Sequence, residues 1–247
     1  SGSLKNTFYM ASVASAVLGT YSFFLPNTPP VGLNKKVSIR EILGLDALAM
    51  LKDRSFLFFF IASILICIPL AFYYQHANQF LNEIGMKAAA SKMILGQISE
   101  VFFLILLPIF IKRYGIKNAL IIGILAWGVR YFMFAFGDTG AQTWMLLFGI
   151  VLHGICYDFF FVSGQIYTDF KAGKEYKSTA QGLITLATYG IGMLIGFRFA
   201  GWLTDKYVVD NGHLWKEIWI QPAIFSFVVL ILFLISFKNE TIKIKSL

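Results

Sequence analysis

Long apolar runs, each about the length needed to cross the hydrocarbon core of a bilayer, alternate with short polar stretches along this chain. Seven of them stand out, at roughly 5–25, 56–79, 91–111, 118–136, 144–168, 179–203 and 218–237. They predict an all-α integral membrane protein with about seven transmembrane helices. Residues 26–55 interrupt the pattern and open with Pro26, Pro29 and Pro30. Within this stretch, SIREILGLDALAMLKD places Ile39, Ile42, Leu43, Leu48 and Leu51 at helical spacing, which predicts an amphipathic helix at the membrane surface. The chain thus divides into a first span (1–25), a connector (26–55) and a six-helix bundle (56–247). Short loops group the six as three and three, an arrangement that suggests half of a transporter built from repeats.

Composition supports this. Of the 247 residues, 57% are hydrophobic and 14% charged, and mean hydropathy is +0.70. A soluble domain would carry about 25% charge. The 26 phenylalanines suit a lipid-facing surface. The net charge of +8 could suggest nucleic acid, but no basic-aromatic surface accompanies it, so none is expected as a partner. The basic residues report topology instead. Lys35, Lys36, Arg40, Lys52, Arg54, Lys112, Arg113, Lys117, Lys171, Lys174, Lys177, Lys238, Lys243 and Lys245 fall on one set of loops. Lys5, Lys87, Lys92, Lys206 and Lys216 fall on the other. This positive-inside bias makes the connector and the C-terminus cytoplasmic. Cys67 and Cys156 lie in apolar runs and read as buried small hydrophobes, not as a disulfide. No signal peptide is expected, and the start at Ser1-Gly2-Ser3 without Met reads as a cloning scar or a cut from a longer protein.

Against this background two carboxylates are out of place. Glu100 and Asp158 lie inside spans, where a charge costs between about 3 and 17 kcal/mol. Gln97 shares a helix face with Glu100, and an amide beside a carboxylate can hydrogen-bond a polar ligand as both donor and acceptor. Asp158 and Gln165, seven apart, return to nearly the same face. Tyr157 offers a ring and a hydroxyl, and Phe159 to Phe161 offer apolar walls. The second span ends in LAFYYQHANQF, where Tyr74 and Asn78 share a face near His76 and its flanking amides. Such a polar cluster suits ligand or water, though an interfacial belt would look similar. In the sixth span Gln181, Thr185 and Thr188 form a polar stripe, and Gly192, Gly196 and Ala200 form a small-residue stripe for close helix packing. Arg130 and Arg198 are expected to snorkel, with neutralisation of a buried acid as the alternative. His153 and Asp158 formally match an H-x4-D acyltransferase pattern, which would make the chain a membrane-embedded transferase; burial in an apolar helix argues against that chemistry. No metal ligand set, cofactor motif or catalytic triad emerges, so no metal, cofactor or enzymatic activity is expected.

QISE at 97–100, KRYGIKNALIIGILAWGVRYFMFAFGD, HGICYDFFFVSGQIYTD and STAQGLITLATYGIGMLIG resemble the nucleoside:proton symporters of the major facilitator superfamily, as does LGLDALAMLKD in the connector. The resemblance runs from the sixth family span to the twelfth. It implies a major facilitator-type bundle comprising the last helix of an N-terminal half, the connector and the whole C-terminal half, with the remaining N-terminal half missing. It also implies proton-driven uptake of nucleosides across the inner membrane by alternating access. The implied substrate contacts are Gln97 and Glu100 in QISE and Tyr157, Asp158 and Phe159 in YDFF, to which the second-span cluster adds Tyr74 and Asn78. Glu100 and Asp158 are the proton-coupling candidates. Ala71 and Tyr74 stand where some relatives carry Gln and Asn, which leaves the nucleobase contacts and the substrate range open. A carrier of the same architecture for a sugar or other small polar metabolite is the alternative. A fragment without its other half would lack half of the cavity walls.

Overall fold

A computed structural model describes residues 2–28 and 45–238. The chain divides into two compact units, Ser1–Ser38 and Ile39–Leu247. The described part of the first is one helix, α1 (Gly2–Ser22). The second contains α2 (Arg54–Glu83), α3 (Ala89–Tyr114), α4 (Ile116–Phe136), α5 (Thr143–Gly173), α6 (Tyr176–Lys206) and α7 (Trp215–Ser236). All six are long and apolar enough to span a membrane. Of the seven expected spans, the first is helical but is not among these six. Lys5, Asn6 and its many Ser, Thr and Gly residues dilute the apolar ones.

The connector differs from its expected form. Ile39, Ile42 and Leu43 lie outside the described residues. The described part, Leu45–Lys52, is a 3-10 helix and not an α-helix. Ala47 is nonetheless fully buried, and Met50 and Leu51 pack on the core, so this segment is docked on the bundle through one face. Asp53 then caps α2, accepting a hydrogen bond from the Phe56 amide at 2.9 Å, and pairs with Lys171 of α5 at 2.9 Å.

Both 31-residue helices contain a wide turn of π-helix, Asp158–Val162 in α5 and Leu186–Gly192 in α6. Between them Gly173 takes φ 65°, a left-handed conformation open to glycine, and there the chain reverses. A two-stranded hairpin, β1 (Val208–Val209) with β2 (Gly212–His213), joins α6 to α7. It is fastened to the end of α2 by Glu83, which accepts from the His213 amide at 2.6 Å and approaches its ring at 2.9 Å.

Backbone-close seams order the bundle. A Cβ on Gly154 of α5 would lie 2.5 Å from the Ser99 carbonyl of α3, and one on Gly196 of α6 would lie 2.7 Å from the Ala71 Cβ of α2. The expected small-residue stripe is therefore a packing surface against α2. Helices α4 and α7 share the aromatic core, where Tyr131 stacks on Trp219 at 5.5 Å and 8°. At the other end Lys117 donates to the Phe237 carbonyl at 2.7 Å, capping the end of α7.

Candidate functional site

Three helices leave a cavity of about 440 Å3, lined by Tyr73, Tyr74 and Asn78 from α2, Met93, Gln97 and Glu100 from α3, and His153 and Tyr157 from α5. The helical spacing read from the sequence explains the first two walls. Gln97 and Glu100 follow each other at one turn, as do Tyr74 and Asn78, and each pair faces the opening. Asn78 receives the Asn82 amide at 2.6 Å, and its own amide points to the Met93 sulfur at 3.8 Å.

Glu100 is held from behind. The His153 ring places Nε2 2.8 Å from Glu100 Oε1, and its Nδ1 lies 2.8 Å from Arg130 Nη1. A guanidinium has donors and no acceptor, so Nδ1 must accept and the ring proton must sit on Nε2, where it donates to the carboxylate. Arg130 comes from α4, is 0% exposed and lies over the Tyr73 ring, 3.5 Å from its centre. Tyr73 in turn stacks on His153 at 5.1 Å. The expectation that Arg130 snorkels is therefore corrected: it sits among Tyr73, Trp127 and Phe134 and points to a polar partner inward. Arg198 is exposed, as a snorkelling side chain would be.

The structure separates the second acid from this wall. Asp158 is 3% exposed and does not line the cavity, and its Oδ2 has no hydrogen-bond partner among the described residues. Phe159 is also withdrawn, packed on Phe103 at 6.1 Å and Phe110 at 5.0 Å. The cause is local. The π turn begins at Asp158, so the seven-residue return expected of an α-helix fails: Asp158 is buried while Gln165 is exposed. Gly123 of α4 lets this wide turn approach, since a Cβ there would lie 2.7 Å from the Phe160 amide nitrogen. The H-x4-D pairing is also absent, because both His153 nitrogens are engaged, by Arg130 and Glu100.

Tyr157, at the edge of the π turn, does face the cavity, and its hydroxyl lies 2.9 Å from that of Tyr189 on α6. The polar stripe of α6 is mostly internal bonding: Thr185 and Thr188 return hydrogen bonds to their own helix, and Gln181 bonds Asp169 of α5 at 2.6 Å. His76 Nε2 lies 3.0 Å from the Thr204 hydroxyl, while its buried Nδ1 has no hydrogen-bond partner among the described residues. Tyr73, Met93 and Tyr189 were not singled out by sequence. The signal available for Tyr73 was its place beside Tyr74, one position off the expected face.

Comparison with known proteins places the chain in a family and a fold. The model of the family described as Nucleoside H+ symporter matches residues 3–242. From Escherichia coli K12, YegT, named as a candidate nucleoside transporter, is 44% identical over 94% of this chain and 57% of its own length. The nucleoside permease NupG of the same strain is 30% identical over 96% of this chain and 59% of its own. A crystal structure of a NupG mutant superposes with a TM-score of 0.81 at 30% identity, over 93% of this chain and 60% of that one. The major facilitator-type bundle expected from the sequence is thus borne out, and the chain spans just under three-fifths of these curated relatives. These relatives are named as transporters and permeases, not enzymes. With the match extending over α1 and the entire six-helix bundle, this multi-pass membrane protein belongs to the nucleoside H+ symporter family.

Proposed function

We propose that this chain supplies about half of a carrier that takes up nucleosides together with protons by alternating access. The observation that carries this reading is the cavity in which Gln97 and Glu100 face Tyr74, Asn78 and Tyr157 across α2, α3 and α5. Amide and carboxylate can bind sugar hydroxyls or base edges, and the tyrosine rings can stack on a base. The names of the relatives, nucleoside permease and xanthosine permease among them, support the same cargo.

In this reading Glu100 binds substrate and takes part in proton coupling. Asp158, buried next to the cavity-lining Tyr157 and with no partner for Oδ2 among the described residues, is the second coupling group, and Phe159 holds the π turn in place instead of touching the ligand. Residues 1–25 act as the last helix of an N-terminal half and 26–55 as the cytoplasmic connector, with the C-terminus on the same side in an inner membrane. The partner is the other transporter half, which would supply the opposite wall, as midplane sites between halves require.

Uptake of labelled uridine by the full-length carrier tests this. Glu100→Gln is expected to lower affinity and Asp158→Asn to abolish the dependence of uptake on the proton gradient. Normal uptake by both variants at every pH would remove both roles.

A further inference from the structure

We infer that Arg130 and His153 are positioning residues for this carrier: Arg130 fixes His153 as a donor at Nε2, and His153 then holds the Glu100 carboxylate at the cavity. Three observations carry the inference. Arg130 Nη1, His153 Nδ1, His153 Nε2 and Glu100 Oε1 form one line, with 2.8 Å at each of its two hydrogen bonds. Its direction is set by chemistry, because a guanidinium only donates while an imidazole between two partners can otherwise carry its proton on either nitrogen. The line also runs outward, from a fully buried guanidinium to a carboxylate whose side chain is 30% exposed and lines the cavity.

A packing role alone does not account for this arrangement. A buried cation that bonds a neutral imidazole and has no direct ion pair to a carboxylate among the described residues is costly, and Met or Leu would fill the same space among Tyr73, Trp127 and Phe134. Nε and Nη2 of Arg130 have no hydrogen-bond partner among the described residues, whereas Nη1 bonds His153, which lines the cavity. The rings add rigidity: Tyr73 lies against both the guanidinium and the imidazole, so rotating either one away gives up a ring contact.

This rests on the nucleoside reading above, and the experiment separates the two. Uridine uptake is measured at several concentrations for the full-length carrier and for Arg130→Lys, Arg130→Gln and Arg130→Met, with membrane abundance determined for each. Lysine is an obligatory donor, glutamine can donate or accept, and methionine does neither. The expected result is a KM near wild type for Lys, an intermediate rise for Gln and a rise of about tenfold for Met, at unchanged maximal rate per carrier. The same set is then placed on His153→Gln, whose amide nitrogen donates to Glu100 with no tautomer to be set. In that background Arg130→Met is expected to change KM by less than about twofold, as a shared pathway requires. Equal effects of Lys and Met, or an undiminished effect of Met on His153→Gln, would overturn the inference. Should the Met variant fail to reach the membrane, Lys against Gln decides: equal KM values overturn it and a lower KM for Lys supports it. An unsubstituted carrier that takes up a sugar and no nucleoside removes the nucleoside reading, and the ranking is then read with that sugar.

Discussion

The Tyr157 hydroxyl lies 2.9 Å from the Tyr189 hydroxyl, and the contact joins the two places where the helical ladder of this bundle widens. Tyr157 precedes the π turn of α5, and Tyr189 lies within that of α6. Such turns leave backbone groups less well paired and are frequent at functional positions. The two hydroxyls hold them in register from opposite helices.

Removing either hydroxyl should therefore have the same effect. Tyr157→Phe and Tyr189→Phe are each expected to change apparent substrate affinity by up to about tenfold, the scale of one hydrogen bond. The double variant should be no worse than the single ones. Uptake kinetics of the three carriers check this, and additive losses would show that Tyr157 bonds the ligand independently of Tyr189.

A second expectation concerns the seam between α3 and α5. Gly154→Ala places a Cβ about where the Ser99 backbone already lies, with 2.5 Å available. The backbones must separate, at a cost of about 1–3 kcal/mol. Gly182→Ala in α6 meets nothing within 4 Å and should gain up to about 1 kcal/mol from helix propensity. Melting temperatures of the two purified variants in detergent should move in opposite directions.

At the opposite end, Asp53 links stability to pH. Burial raises its carboxyl, but the Phe56 amide and the Lys171 ammonium outweigh this and hold it below its ordinary value of 3.8. A depressed carboxyl contributes stability above its unfolded value and loses it as pH falls through the folded one. Asp53→Asn keeps the cap and removes the charge. Wild type should thus exceed it by a constant margin between about pH 7 and pH 5, under about 1 kcal/mol because the carboxyl is half exposed, and the margin should shrink below about pH 4. A difference that grows on acidification would contradict the pairing.

Hydropathy alone located the six spans of the bundle to within a few residues at most ends, since length and apolarity are what a bilayer selects. It did not register that α5 and α6 each run 31 residues, because their inner ends, around Asp169 and Lys177, are polar and pair with each other at 2.7 Å. Gln97, Glu100, Tyr74, Asn78 and Tyr157 reach the cavity because ordinary helical periodicity holds where they stand. It fails at Asp158 and Phe159, and a π turn leaves no mark in a single sequence. Arg130 was visible as a charge within a span. What hid its role was distance along the chain: its partner His153 is 23 positions away and on another helix.

The seam at Gly154 also decides which wall of the cavity can move. Gly96 lies against the His153 side chain, and the Gly154 amide donates to the Ser99 hydroxyl. Helices α3 and α5 are keyed together over the turn that leads into Glu100, and sliding one past the other would drive these backbones into each other. The carboxylate and its imidazole thus keep their spacing through any swing of the bundle. A change in the width of the cavity falls to α2, where Tyr74 and Asn78 stand on the facing bank.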